Sequence, residues 1–190
     1  MSRQAWDQEA ATFDDEPDHG LKQPEVRGAW RRLLLSVLPE APARVADLGC
    51  GTGTLAKLLV DEGYEVDGLD FSPEMVRRAR IKAPEATFVV GDAGAPNLSP
   101  AAYDVVLSRH VLWAMPDPAD AFARWVDVLK PDGMVVLIEG SWATGAGLTA
   151  ADSTRIVRSV RDHAEVQPLP EAEYWGKEIT DERYMIVSRR

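Results

Sequence analysis

The nonapeptide Val45-Ala46-Asp47-Leu48-Gly49-Cys50-Gly51-Thr52-Gly53 joins a carboxylate to three alternating glycines. Glycines at this spacing let a backbone come close to a bound molecule, because no Cβ stands in the way. A dinucleotide fingerprint needs a glycine three positions after Gly51, and Thr54 occupies that place. The acid also argues against a phosphate in the loop, since a helix N-terminus that cradles pyrophosphate excludes negative charge at its mouth. A ligand carrying an ammonium group would suit Asp47. Two further acids follow apolar runs, Asp70 after Gly68-Leu69 and Asp92 after Val89-Val90-Gly91. His110 follows a fourth run, Tyr103–Ser108.

Alternating strands and helices would position these groups. Expected strands are 44–48, 64–70, 87–90, 103–108 and 134–139. Expected helices are 55–62, 73–83 with Ser72 as N-cap, and 119–129, closed by Lys130-Pro131-Asp132-Gly133. Strands joined by single helices imply right-handed crossovers. The fold class expected is α/β, a doubly wound, mostly parallel Rossmann-like sheet with helices on both faces, binding its ligand at the carboxyl ends of the strands. Ahead of this core, Trp6, Ala10 and Phe13 share one helical face, 14–20 reads as an acidic loop, and a helix beginning near Pro24 turns Val26, Trp30, Leu33, Leu34 and Val37 inward. Behind it come a helix over about 150–163 and two strands, near 165–169 and 183–188.

The motif DLGCGTG resembles the first motif of class I S-adenosylmethionine-dependent methyltransferases. GLDFSPEMV, VVGDA, YDVVLSRHVLW and LKPDGMVVLIEG follow in that family's order and approximate spacing, from about Arg44 to Gly140. The head FDDEPDHGLKQPEVRGAW and the tail YWGKEITDERYMIVSRR resemble small bacterial members, of the type 11 or type 25 kind, less specifically. The resemblance implies a seven-stranded sheet and one methyltransferase domain over 1–190. Residues 1–40 would be a helical lid, 43–140 the cofactor-binding core, and 141–190 the last helix and strands. It also implies S-adenosyl-L-methionine as cofactor and S-adenosyl-L-homocysteine as product. Asp47 would accept from the ammonium, with Gly49, Gly51 and Gly53 allowing close approach. Asp70 would take the ribose hydroxyls, Phe71 and Met75 the adenine faces, and Asp92 with the Ala93 amide the adenine edge. The Arg109 backbone would hold the ammonium from the other side.

Methyl transfer from a sulfonium is an in-line displacement, so alignment supplies most of the acceleration. A base is needed only for an acceptor that binds protonated. His110 is the candidate base, or a structural histidine that bonds backbone or wedges beside Arg109. Phe13, His19, Trp113, Trp142 and Tyr174 are candidates for the acceptor pocket, with packing or surface roles as their alternatives. Glu139 is expected on the ligand side, Trp175 either there or packed on a helix, and His163 at the surface. The three histidines and one cysteine show no metal-ligand spacing.

Composition bounds the function classes. The chain has 190 residues, 45% of them apolar, and a net charge of −10. That charge disfavours partners bound through phosphate neutralisation, so no nucleic acid is expected. An Asn/Asp-Pro-Pro-aromatic motif, common in nucleic-acid methyltransferases, is replaced by Ser108-Arg109-His110-Val111. No apolar run approaches the ~18 residues of a membrane span, no secretory leader is visible, and Cys50 has no partner cysteine. The expectation is a cytoplasmic monomer or homodimer acting on an O or N atom of a small molecule. The alternatives are a cofactor-binding protein that transfers no methyl group and, less well supported, a nicotinamide enzyme.

Overall fold

The computed structural model describes residues 2–190. Three helices come first: α1 (Arg3–Glu9), α2 (Pro17–Gly20) and α3 (Pro24–Val37). The core follows as β1 (Arg44–Leu48), α4 (Thr54–Asp61), β2 (Glu65–Asp70), α5 (Pro73–Lys82), β3 (Thr87–Val90), β4 (Tyr103–Arg109), α6 (Pro118–Asp127) and β5 (Leu129–Ser141). The chain closes with α7 (Ala150–Arg158), β6 (Glu165–Pro168), α8 (Ala172–Trp175) and β7 (Glu182–Ser188).

The seven strands form one sheet in the order β3-β2-β1-β4-β5-β7-β6. β1 to β5 run parallel, and β7 inserts antiparallel between β5 and β6. The expected doubly wound architecture is therefore what forms. The order reverses between β1 and β4, so a crevice opens at their carboxyl ends.

Alternation along the strands assigns each residue to one of two cores. Val45, Val105, Leu107, Val136, Ile138 and Met185 pack with Trp30 and Leu34 of α3 and Leu55 and Leu59 of α4. Ala46, Leu48, Val106, Val135, Leu137 and Ile186 pack with Phe122 and Trp125 of α6 and Val157 of α7. Each large buried side chain contributes about 1.5–3 kcal/mol relative to exposure. The same alternation puts Asp47, Arg109 and Arg183 on the α3/α4 face, where their strands reach the crevice.

Several boundaries differ from expectation for identifiable reasons. The acidic segment 14–20 is not an open loop: Phe13–Asp15 forms a 3-10 turn and Pro17–Gly20 a helical one. Its acids meet cations, Asp14 with Lys82 at 2.7 Å, Asp15 with Lys22 at 2.8 Å and Glu16 with Lys177 at 2.9 Å. Residues 130–133 belong to β5, because a register shift after the Tyr103–Leu129 pair takes up the extra residues before Val105 meets Met134. Helix α7 stops at Arg158, where the chain turns so that Arg161 can donate to the Gly133 carbonyl at 2.9 Å. Ser72 caps α5 as expected, its hydroxyl accepting from the Met75 N–H at 3.1 Å.

Candidate active site

A cavity of about 960 Å³ occupies the crevice, floored by the glycine loop and roofed by the N-terminal segment. Its floor begins at the end of β1. Asp47 is buried, and its Oδ2 has no hydrogen-bond partner. Burial pushes its carboxyl up to about 7, against the opposing pull of the Arg109 guanidinium. The loop turns through positive φ at Gly49, Gly51 and Gly53, of 74°, 54° and 77°. The Gly49 and Cys50 N–H groups both donate to the Leu69 carbonyl, which locks the loop to β2. A Cβ on Gly51 would stand 3.3 Å from the Phe13 ring and fill the gap beneath it.

Asp70 caps β2 and bridges loop to helix. Its Oδ2 accepts from the Gly51 N–H and its Oδ1 from the Ser72 N–H, each at 2.9 Å. Burial raises its carboxyl above the ordinary range, while those two amides pull it back. Phe71 and Met75 line the same wall, with Asp92 and Ala93 beyond the end of β3. The Asp92 Oδ1 accepts from the Gly94 N–H at 2.7 Å, which fixes the turn.

Across the crevice, the chain after β4 turns sharply at His110, whose φ is 60°. That left-handed conformation is held from β5. The His110 N–H donates to the Ile138 carbonyl at 2.8 Å, and Glu139 Oε1 accepts from the Val111 and Leu112 N–H groups at 3.0 and 2.8 Å. Glu139 is buried on the far face, outside the cavity lining, with its carboxyl pushed up to about 8 by burial. It braces the turn and does not face the ligand side as expected. The His110 ring reaches the cavity, its Nδ1 without a partner. Burial, then the charges of Arg109 and Arg183, hold its basicity well below that of a free imidazole, so it is neutral at neutral pH.

Aromatic groups complete the wall. Trp142, in the turn after β5, lies 5.1 Å from the His110 ring and 5.4 Å from Trp113. Trp175, at the end of α8, lies 5.9 Å from His110. Arg183, near the start of β7, has its guanidinium 5.0 Å from the Trp142 ring and 5.3 Å from that of Trp175. Phe13 stacks on His19 at 4.3 Å to form part of the roof, with Trp6 at its edge.

Most of the residues singled out in the sequence meet here; besides Glu139, Gly53 and Tyr174 lie outside the cavity. Gly53 lies outside the lining: its added Cβ would stand 2.8 Å from that of Ala79, so the glycine serves the packing of loop on α5. Tyr174 points away, packed 6.0 Å from Trp30, whose Nε1 donates to the Tyr174 carbonyl at 2.7 Å. Its neighbour Trp175 takes the place in the wall. The Arg109 side chain, about which the sequence reading made no claim, donates to the Asp18 carbonyl at 2.5 Å. Sequence reasoning did not reach Arg183 and Lys177 as lining residues, although both lie in the quoted tail motif. Their spacing from the glycine loop carries no local signal.

The chain from 46 to 137 matches the family model described as a methyltransferase domain. It is 34% identical over 145 residues to demethylmenaquinone methyltransferase of Renibacterium salmoninarum, covering 73% of this chain and 61% of that one. It is 29% identical over 180 residues to aklanonic acid methyltransferase DauC of a Streptomyces species, covering 89% and 79%. The chain spans about three fifths of the length of the first of these relatives and about half of others. A TehB-like S-adenosylmethionine-dependent methyltransferase from Corynebacterium glutamicum superposes with a TM-score of 0.65 at 26% identity, over 83% of this chain and 85% of that one.

Proposed function

Because the chain belongs to the class I S-adenosylmethionine-dependent methyltransferases, we propose that it transfers a methyl group from S-adenosylmethionine to an O or N atom of a small molecule. The observation that carries this reading is the buried, unpartnered carboxylate oxygen of Asp47 beside a glycine cradle, in one cavity with an aromatic wall. An ammonium group would supply the partner that Asp47 lacks, since buried polar groups are ordinarily paired. Gly49 and Gly51 would admit the methionine portion. Asp70, already fixed by two amides, retains lone pairs for the ribose hydroxyls. Phe71 and Met75 would pack on the adenine, and Asp92 with the Ala93 N–H would read its edge.

When bound, S-adenosylmethionine supplies an electrophilic methyl carbon whose bond to sulfur breaks as the acceptor lone pair forms the new bond, leaving S-adenosylhomocysteine. The protein's work is alignment and exclusion of water. Phe13, His19 and Trp6 roof the cavity, while Trp113 and Trp142 confine the acceptor, so that the reacting atoms meet with little residual freedom. For an acceptor that binds protonated, His110 is the group placed to take the proton, being neutral with a free Nδ1. Its depressed basicity puts that contribution at the low end of the ~10²–10⁴-fold usual for general-base catalysis. A net charge of −10 supports a small acceptor over a nucleic acid.

Calorimetric titration with S-adenosylmethionine and S-adenosylhomocysteine tests the binding half, and absence of binding overturns the reading. Release of S-adenosylhomocysteine over an acceptor library tests transfer. Binding without release under any acceptor would favour a protein that uses the cofactor for another purpose.

A further inference from the structure

Arg183 is an unusual group to find in the wall of this cavity. Its side chain is 11% exposed, and its Nη2 lies 3.2 Å from Asp181 Oδ2. Its Nε and Nη1 are buried and have no hydrogen-bond partner among the described residues. Two buried guanidinium nitrogens without partners are costly, because their desolvation is not offset by acceptors. Its position over the Trp142 and Trp175 rings recovers part of that cost by cation–π attraction, but ring faces satisfy no N–H. Asp181 is itself incompletely used, with Oδ1 unpartnered. Two other cations line the cavity and are engaged: Lys177 lies 2.9 Å from Glu16, and Arg109 donates to the Asp18 carbonyl.

The surroundings say what would complete the group. His110, Trp113, Trp142 and Trp175 present rings, which favours a flat, unsaturated body. His110 contributes a further polar atom without a partner, Nδ1, among the same rings. The cofactor reading places its own groups at the ends of β1, β2 and β3, so this corner beside β5 and β7 is left for the acceptor. We propose that Arg183 is the specificity-determining residue of the acceptor site, and that it selects a planar molecule bearing an anionic oxygen group, a carboxylate or an ionised hydroxyl. The inference rests on the methyltransferase reading for the word acceptor. The anion site itself stands on Arg183 and the tryptophans alone.

The test uses the 190-residue chain and defined probes. Benzoate, trans-cinnamate and 4-hydroxybenzoate are each titrated against their carboxamides, and 4-nitrophenolate against nitrobenzene, following tryptophan fluorescence with and without saturating S-adenosylhomocysteine. The expected result is that at least one anion binds tenfold or more tightly than its neutral partner. In Arg183→Gln that preference should fall to within twofold of unity, while S-adenosylhomocysteine affinity stays within twofold of the parent. Arg183→Lys should keep part of the preference. Asp181→Asn, which leaves the guanidinium in place, should retain or increase it, so the question remains answerable if Arg183→Gln does not fold. Preference for the phenolate alone would keep the site and assign its anion to an ionised hydroxyl. Equal binding of charged and neutral partners, no binding of any anion, or a preference that survives Arg183→Gln would overturn the proposal. Failure of S-adenosylhomocysteine to bind would instead count against the methyltransferase reading, since the titrations without it examine Arg183 by itself.

Discussion

The two halves of the cavity are built in different ways. The half at the ends of β1, β2 and β3 is made by short segments whose backbone is tied to its neighbours: Gly49 and Cys50 to Leu69, Gly51 to Asp70, Asp70 to Ser72. The half beside β5 and β7 is made by side chains drawn from positions 110, 142, 175 and 183, which meet only because α8 and β7 return alongside β5. The first half rests on backbone ties within the loop and on one carboxylate, Asp70, that holds two amides. A wall of the second kind can be re-lined by single substitutions without disturbing the sheet. A fixed cofactor half and a variable acceptor half is the division of labour expected of a fold that serves many chemistries.

The largest effect that would break this contrast is at Asp70. Asp70→Ala removes the acceptor of two backbone N–H groups and the proposed ribose ligand together. Charge-assisted hydrogen bonds contribute about 1.5–3 kcal/mol each, so S-adenosylhomocysteine affinity should fall about 100-fold or more by calorimetry. Unchanged affinity would mean that the floor does not hold the cofactor as proposed.

Asp47 gives a smaller, pH-dependent effect. With its folded carboxyl pushed up to about 7 and an unfolded value near 3.9, the ligand-free protein holds a proton that the unfolded chain has lost. Its contribution to the stability of the ligand-free protein is therefore fully present below about pH 4 and is lost as pH rises through 7. Pairing with an ammonium needs the ionised form, so cofactor affinity should run the other way, falling by up to tenfold per unit as pH drops below about 7. Asp47→Asn should flatten that dependence across pH 5–8 and weaken binding at pH 8. A pH dependence that persists in the variant would assign it to another group.

Gly53 sharpens the contrast with the smallest effect on binding. Gly53→Ala puts a Cβ against Ala79 at a φ of 77°, which should cost about 1–3 kcal/mol of stability in thermal or urea unfolding. Because Gly53 does not line the cavity, cofactor affinity of the folded variant should stay within a few-fold. A loss comparable to that at Asp70 would return Gly53 to the binding surface.

The strands and helices of the core were legible because each carries its own period and its own stop signals: Gly63 after α4, Ser72 before α5, and the apolar runs of β1 and β4. The departures share one cause, contact with something distant. The segment 14–20 looked like a solvated charge run because Lys82 and Lys177, which pair with Asp14 and Glu16, lie far along the chain. Glu139 was assigned to the ligand side by proximity in sequence, yet alternation turns it to the opposite face; of the two readings of Tyr174, pocket or packing, contact with Trp30 selects packing.

Local pattern alone thus determined the order of elements, the parallel core, the glycine loop and the acids after the first three strands. Such features depend on residues within one turn or one strand of each other. Only the tertiary structure decided that Gly53 packs while Gly51 faces the cavity, that Trp175 and not Tyr174 forms the wall, and that Arg183 lies over two tryptophan rings with two nitrogens unpartnered. Those outcomes depend on which side chain wins a shared space between segments distant in the chain, and spacing along a sequence carries no record of that competition.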